Sequence, residues 1–183
     1  PSGTQENIAR DLNEMESMIT ELLEAERLNG RHQSLQKVDV TINEIVMSVV
    51  DDYFADEAID LTLAEAPPLQ QLDPTRLRLV AKNLLENAFK HNGEGSRAVR
   101  LITNATANEV TFEIEDFGAG IPEDHLPHNT EPFYRADASR QRKTGGFGLG
   151  LYLVKLIIEA HDGTLKIESQ IGQGTKVKVT LPL

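Results

Sequence analysis

Residues 144–161 have the sequence Thr-Gly-Gly-Phe-Gly-Leu-Gly-Leu-Tyr-Leu-Val-Lys-Leu-Ile-Ile-Glu-Ala-His, in which a glycine-rich turn runs directly into an apolar helix. Glycine tolerates positive φ angles and lets a ligand approach the backbone closely. The N-terminus of a helix adds unpaired N–H groups and a partial positive charge. The stretch therefore predicts a phosphate-binding turn, although its spacing matches neither a P-loop nor a dinucleotide-binding fingerprint. Taken alone, a flexible linker before a core helix explains it equally well.

The composition limits the classes of function that are open to the chain. Its 183 residues suit one domain plus an appendage. The formal net charge of −11, from 18 basic and 29 acidic residues, argues against nucleic acid or an anionic membrane as the main partner. The absence of cysteine excludes disulfides and thiolate metal sites. No apolar run reaches the length of a membrane span, and the abrupt start at Pro1 leads us to expect a fragment of a longer protein.

An apolar stripe runs along residues 5–28 at alternating steps of four and three, with glutamates on the other faces. This a/d pattern predicts an amphipathic helix. One helix cannot bury so broad a stripe, so we expect a bundle or a dimer partner, with packing on the chain's own domain as the alternative. The stripe consists of Ile8, Leu12, Met15, Ile19 and Leu22.

Strands and loops follow from the alternation of apolar residues and from turn residues. Residues 30–37 have no helical period and predict a linker. Residues 123–143 predict a long loop, which inside a compact domain is usually functional or mobile. Strands are predicted at 37–40, 59–63, 98–103, 109–115, 164–169 and 175–181.

Three further helices are predicted from their ends. Thr41 caps one of them, and Asp73 followed by Pro74 starts the next. The third is the apolar helix of the glycine-rich stretch, which His161 is expected to cap. On the second, four polar side chains border the core stripe, where a groove would open. They are Asn83, Asn87, Lys90 and His91.

Four segments belong together. Residues 83–91 are Asn-Leu-Leu-Glu-Asn-Ala-Phe-Lys-His, and residues 116–121 are Asp-Phe-Gly-Ala-Gly-Ile. Residues 132–135 are Pro-Phe-Tyr-Arg, and residues 146–151 are Gly-Phe-Gly-Leu-Gly-Leu. In order and spacing they resemble the N, G1, F and G2 boxes of the sensor histidine kinase catalytic domain, a branch of the GHKL ATPase superfamily shared with gyrase and Hsp90.

The resemblance implies an α+β fold, a two-layer α/β sandwich of the Bergerat type. We expect a mixed, mainly antiparallel sheet of about five strands with three main helices on one face. Residues 38–183 would form the ATP-binding catalytic domain, and residues 30–37 the linker before it. Residues 1–29 resemble the second helix of the dimerisation and phosphotransfer bundle, one long helix that should stand apart from the sandwich.

The resemblance also implies a role for each matching residue. Asn87 would bind Mg²⁺ through its neutral oxygen, and Lys90 would contact a phosphate. Asp116 would accept a hydrogen bond from the adenine amino group, Thr175 would close the adenine end through water, and the glycines of the G1 box would let the backbone approach the base. Asn83, Asn87 and Lys90 are the implied catalytic residues. The implied ATP-binding set is Asn83, Asn87, Lys90, His91, Asp116, Gly118, Gly120, Ile121, Phe133, Tyr134, Arg135, Gly145, Gly146, Phe147, Gly148, Leu149, Gly150, Leu151 and Thr175.

Two positions depart from the family's usual pattern. Phe117 stands where asparagine is usual, and Phe147 stands where serine or threonine is often found. Both departures concern the fine contacts to the nucleotide. The loop between the F and G2 boxes also carries a basic cluster, which we interpret as a lid over the polyphosphate. The cluster comprises Arg135, Arg140, Arg142 and Lys143.

The resemblance implies a cytoplasmic kinase domain that transfers the γ-phosphoryl group of Mg-ATP to a histidine. The full-length protein would be a homodimer anchored in the bacterial inner membrane, with a response regulator as partner. Residues 1–28 contain no histidine, so the acceptor is expected on a bundle helix outside this sequence. A GHKL-type ATPase is the first alternative, although Asn83 stands where its relatives carry a glutamate base. A serine kinase that antagonises a sigma factor and a non-catalytic binding module are the others.

Overall fold

A five-stranded sheet forms the centre of the computed structural model, which describes residues 2–29, 35–93, 95–134 and 147–183. The strand order is β2-β4-β5-β7-β6, and only the β2–β4 pair is parallel. The predicted mixed, mainly antiparallel sheet is therefore confirmed. The elements are α1 (Ser2–Asn29), β1 (Val38–Val40), α2 (Ile42–Tyr53), β2 (Ile59–Thr62), β3 (Gln70–Leu72), α3 (Pro74–His91), β4 (Val99–Ala105), β5 (Glu109–Asp116), a 3-10 turn (Leu126–His128), α4 (Gly150–Ala160), β6 (Thr164–Gln170) and β7 (Gly174–Pro182).

Helices α2, α3 and α4 pack on one face of this sheet, as predicted. The core lies between the two layers, where Leu101, Phe112 and Val179 are fully buried beneath the helices. The opposite face carries a row of alternating charges across all five strands, one residue from each. Charges in register face water at little cost, and opposite charges across strands stabilise the pairing. The row is Asp60, Arg100, Glu115, Lys176 and Glu168.

A second, two-stranded sheet was not predicted as such. Strand β1 pairs antiparallel with β3, a three-residue strand for which the sequence has no clear alternation. This short strand was missed by the sequence analysis. Gln70 and Leu72 are buried, so tertiary packing and not local preference defines this strand.

The helix starts follow the predicted capping residues. Thr41 accepts a hydrogen bond from the backbone N–H of Glu44, whose carboxylate accepts one from Thr41 N–H in return, a complete capping box. Asp73 accepts from the N–H of Arg76, and Pro74 occupies the first helical position of α3.

The N-terminal helix is only partly separate from the sandwich. Leu12, Met15 and Ile19 are more than half exposed, which agrees with an apolar stripe that the domain does not cover. Near the other end of α1, however, Ala25 and Leu28 are buried against the core where α1 meets α4. The expectation that the helix stands apart is therefore wrong for its last two turns, because small and apolar residues there fit against α4. No helix among the described residues is both long and apolar enough to cross a bilayer.

His161 is the C-cap residue of α4, as predicted. Its ring is 4% exposed, and it accepts a hydrogen bond at Nε2 from the backbone N–H of Asp73 at 3.2 Å. Its Nδ1 lies 2.8 Å from the carbonyl oxygen of Ile157. His161 therefore caps α4 and also joins the end of α4 to the start of α3 inside the protein, a contact that was not predicted.

Candidate functional site

The first turn of α4 carries no side-chain cap. Leu149 occupies the N-cap position without a side-chain hydrogen bond to the helix, and the first turn holds no acidic residue. Gly148, just before it, has a φ of +74°. An uncapped helix start keeps its N–H groups and partial positive charge available for an anion. Leu149 is 2% exposed and Leu151 packs against the core, so at these positions only the backbone can serve a ligand.

One asparagine of α3 contacts this helix start, and a second lies one turn further along α3. The Asn83 side chain is 8% exposed and donates a hydrogen bond from Nδ2 to the carbonyl oxygen of Leu79 at 3.2 Å. Its Oδ1 lies against Gly150, where an added Cβ would be 2.8 Å away. Asn87 follows one turn later on the same face and is half-buried. The structure thus brings the predicted N box and G2 box residues together.

Glu86 lies on a different face of α3 from Asn87. It is exposed and forms an ion pair with Lys82, with 3.6 Å between Nζ and Oε1. A carboxylate one residue away from Asn87 points to another face of the helix. Glu86 is therefore not arranged as a general base next to the α4 helix start.

Asp116 ends β5 in a buried position, 6% exposed. It accepts a hydrogen bond at Oδ1 from the N–H of Gly118 at 3.0 Å. Burial raises the pKa of Asp116, and hydrogen bonds from the backbone of Gly118 and of Thr175 oppose that rise. The result is a carboxyl group that gains from any further donor, which is the chemistry that recognition of an adenine amino group requires.

The glycines of the G1 box lie directly against backbone of other segments of the chain, a packing role that the sequence did not predict. A Cβ on Gly118 would stand 1.8 Å from the carbonyl oxygen of His91, and one on Gly120 would stand 2.1 Å from that of Gln170. These glycines admit neighbouring segments of this same chain. Their lack of a side chain therefore has a packing role, and the expectation that they let the backbone approach a base stays a prediction.

Ser169 was missed by the sequence analysis. Its hydroxyl donates to the carbonyl oxygen of Gly174 at 2.9 Å, lies 2.9 Å from Thr175 Oγ1, and accepts from the N–H of Ile121 at 2.8 Å. It thereby connects Ile121 of the G1 box to Thr175, which lies opposite Asp116 in the β5–β7 register. The available signal was its place on the inward face of β6, where its neighbours are apolar.

The F box lies directly beside the G2 box. Phe133 has a φ of +65° and donates its N–H to the carbonyl oxygen of Gly148 at 3.0 Å. The hydroxyl of Tyr134 is hydrogen-bonded to His125 Nδ1, and its ring lies against that of His128. Residues 123–134, expected to be part of a structureless loop, are therefore built of hydrogen-bonded turns up to this point.

Some predicted site residues cannot be placed. Arg135, Gly145 and Gly146, with the lid residues Arg140, Arg142 and Lys143, lie outside the described residues. Phe147 is described and is 38% exposed, next to the α4 helix start. Lys90 and His91 are exposed on the last turn of α3, on the same helix as Asn87.

A magnesium ion fits the donors present. Across the described ranges, no cluster of three histidine, aspartate or glutamate side chains could hold a metal. Mg²⁺ commonly takes one or two protein oxygens and completes its shell with water and phosphate. The half-buried amide of Asn87, one turn along α3 from the contact between Asn83 and Gly150, could supply one such protein oxygen.

Comparisons with known proteins agree with this arrangement. The chain is 32% identical over 170 residues to the sensor protein kinase WalK of Staphylococcus haemolyticus, which is 90% of this chain and 28% of that protein. WalK of Staphylococcus aureus is 31% identical over the same length, 41% of its sequence. The chain thus spans less than half of these relatives.

Solved structures share the fold. The full-length ShkA structure, in complex with AMPPNP, superposes with a TM-score of 0.77 at 24% identity, over 96% of this chain and 37% of that one. The histidine kinase AdeS of Acinetobacter baumannii gives a TM-score of 0.73 at 21% identity, over 97% and 82%. A family model described as histidine kinase-, DNA gyrase B- and HSP90-like ATPase matches residues 72–183. Since that match covers more than half of the chain and includes all four boxes, the protein belongs to the family of histidine kinase-, DNA gyrase B- and HSP90-like ATPases.

Proposed function

We propose that this chain is the ATP-binding catalytic domain of a two-component sensor histidine kinase. It transfers the γ-phosphoryl group of Mg-ATP to a histidine on a bundle helix outside this sequence. The observation that carries the proposal is the meeting of Asn83 with Gly150 at the uncapped start of α4, with Asn87 one turn along. The relatives' description as sensor kinases supports this choice within the family.

The phosphate end of the groove consists of α3 and the start of α4. Backbone N–H groups at 148–150 hold phosphate oxygens, and Asn87 with Lys90 approaches the same region from α3. Asn87 would hold magnesium, which would supply neutralisation of the phosphate charge. Phosphoryl transfer needs little covalent chemistry from the protein, so positioning and charge stabilisation account for the rate.

The adenine end consists of Asp116, Thr175 and Ile121. The Asp116 carboxylate accepts from the amino group at C6 of adenine, where guanine has a carbonyl oxygen. A buried acceptor left facing another acceptor costs free energy, so this site discriminates against guanine. Ser169 fixes the hydroxyl of Thr175 beside Asp116.

In the described part of the chain, α3 has no carboxylate arranged as the base that the ATPase alternative requires. Water attack on ATP needs a carboxylate near the phosphates, and the position one turn before Asn87 holds Asn83, whose amide is engaged with Leu79. Glu86 is exposed and paired with Lys82. These observations favour a phosphoryl acceptor other than water. In our proposal the acceptor is a histidine of the bundle, which then passes the phosphoryl group to a response regulator.

Calorimetric titration with Mg-ATP and Mg-GTP tests the nucleotide part of the proposal. We expect a dissociation constant for Mg-ATP of roughly 1 μM to 1 mM, the range of enzymes for their metabolites. Mg-GTP should bind at least about fivefold more weakly, because one unpaired buried polar group costs at least about 1 kcal/mol. No heat with Mg-ATP, or equal affinities for the two, contradicts the proposal.

A further inference from the structure

Asn92 links the end of α3 to the turn that follows β5. Its Oδ1 accepts a hydrogen bond from the backbone N–H of Phe117 at 3.0 Å. Its Nδ2 donates to the carbonyl oxygen of Arg97 at 2.9 Å. One carboxamide thus connects the end of α3 to Phe117, 25 residues later, and to Arg97, 5 residues later. Asn92 is not among the site residues predicted from the sequence.

The turn is held from its other side as well. The ring of Phe117 lies beneath the guanidinium groups of Arg97 and Arg100, with 5.5 and 5.4 Å from each guanidinium carbon to the ring centroid. The carbonyl oxygen of Phe117 accepts from the hydroxyl of Ser96 at 3.3 Å. The aromatic side chain that departs from the family pattern therefore faces this chain's own arginines.

Both ends of the link carry proposed nucleotide contacts. Asn87 and Lys90 lie on α3 within five residues before Asn92, and Asp116 immediately precedes Phe117. Between them the backbone of His91 packs directly on Gly118. A shift of Phe117 relative to α3 moves Asp116 relative to Asn87.

We propose that Asn92 is a positioning residue that sets the distance between the phosphate-binding face of α3 and the adenine-binding turn. The inference rests on the proposed function, since it concerns the two halves of the same nucleotide site. ATP spans both halves and gains affinity only when they stand at the correct separation. Adenosine occupies only the adenine half and tripolyphosphate only the phosphate half, so their affinities do not depend on the separation.

Asn92→Ala tests this with three ligands. The Asn92 backbone has φ −67° and ψ 123°, which alanine adopts without strain, and its N–H still bonds to Ala88 O. We expect the dissociation constant of Mg-ATP to rise about five- to tenfold, as for the loss of one hydrogen bond. The constants for adenosine and for magnesium tripolyphosphate, measured by NMR titration, should stay within twofold. Asn108→Ala, at an exposed asparagine in the β4–β5 turn, is the matched control and should change none of the three.

The outcomes separate the two claims. If the wild-type chain does not bind Mg-ATP, the proposed function itself fails. If the wild-type chain does bind Mg-ATP, two results with folded Asn92→Ala show that Asn92 does not position the halves. One is an Mg-ATP dissociation constant equal to that of wild type. The other is a rise in the adenosine and tripolyphosphate constants as large as the rise for Mg-ATP. Should Asn92→Ala not fold, Ser96→Ala removes the other side-chain hydrogen bond to Phe117, and an unchanged ATP constant there overturns the inference.

Discussion

Asn83 and Gly150 are in contact between two helices that are far apart in the chain, so that a Cβ at position 150 would lie 2.8 Å from Asn83 Oδ1. The amide cannot turn away freely, because it is buried and its Nδ2 donates to Leu79 O. This contact brings the N box to the start of α4. The absence of a side chain at position 150 is what permits it.

Gly150→Ala should weaken Mg-ATP binding without unfolding the protein. Alanine is favoured over glycine in a helix by about 1 kcal/mol, which offsets part of the strain. The new methyl group displaces the Asn83 amide from the α4 helix start, so we expect the dissociation constant to rise roughly tenfold, the cost of about one lost hydrogen bond. Calorimetry measures the constant, and a melting temperature close to that of wild type shows that the fold persists. An unchanged constant shows that the contact has no part in nucleotide binding.

Asn87→Asp should impair the use of Mg-ATP more than it disturbs folding. The change is nearly isosteric, but it places a fixed carboxylate beside the phosphates and alters how the metal is held. Thermal melts with and without Mg-ATP should show a normal unliganded transition and a much smaller nucleotide-dependent shift. Asn104→Asp, at an exposed position of β4, serves as control. A wild-type shift in Asn87→Asp counts against Asn87 as the metal ligand.

Mg-ATP affinity should depend on pH through Asp116. A donor to the carboxylate favours its charged form, so affinity rises with pH through the pKa of Asp116 and levels off above it. Because burial raises that pKa, the loss of affinity on acidification begins at a higher pH than for an ordinary aspartate, whose pKa is about 3.9. Asp116→Asn should bind more weakly and lose this dependence. Asp56→Asn, an exposed aspartate after α2, should keep it. Identical pH profiles for wild type and Asp116→Asn contradict this role.

The stability of the fold should also fall on acidification, through His161. Burial lowers the pKa of His161, while Asp73 opposes that effect and Lys37 and Arg76 add to it. A lowered folded-state pKa means that the stabilisation is complete above the unfolded value of about 6.5 and is lost as pH falls through the folded value. Protonation also removes the acceptor that Asp73 N–H uses. Urea unfolding at pH 7.5 and at pH 5 should therefore show a smaller difference for His161→Gln than for wild type, and equal differences would refute this.

The sheet and the four boxes could be predicted because their signals are local. Alternation of apolar residues marked the long strands, and capping residues marked the starts of α2 and α3. The three-residue β3 could not be found in this way, because its pairing with β1 depends on residues about thirty positions away.

What the sequence could not predict are contacts between distant segments. His161 meets Asp73 across 88 residues, and Ser169 meets Ile121 across 48. From the local sequence His161 is predicted only as a helix cap and Ser169 only as a strand residue. Their distant partners become apparent only in the fold. For α1 the stripe left a separate partner and the chain's own domain both open, and only the fold shows that Ala25 and Leu28 pack against the domain.

Transfer of phosphate in trans tests the central claim most directly. The purified chain is incubated with radiolabelled Mg-ATP, alone and with a separate protein that carries the complete two-helix bundle of the same kinase. We expect negligible labelling of this chain and strong labelling of the added bundle. The label should be on a histidine, with acid-labile and base-stable phosphate. The Asn87→Asp variant should not label the bundle. Robust labelling of the isolated chain on His32, His125, His128 or His161, or no transfer to a folded bundle at saturating Mg-ATP, would contradict the account.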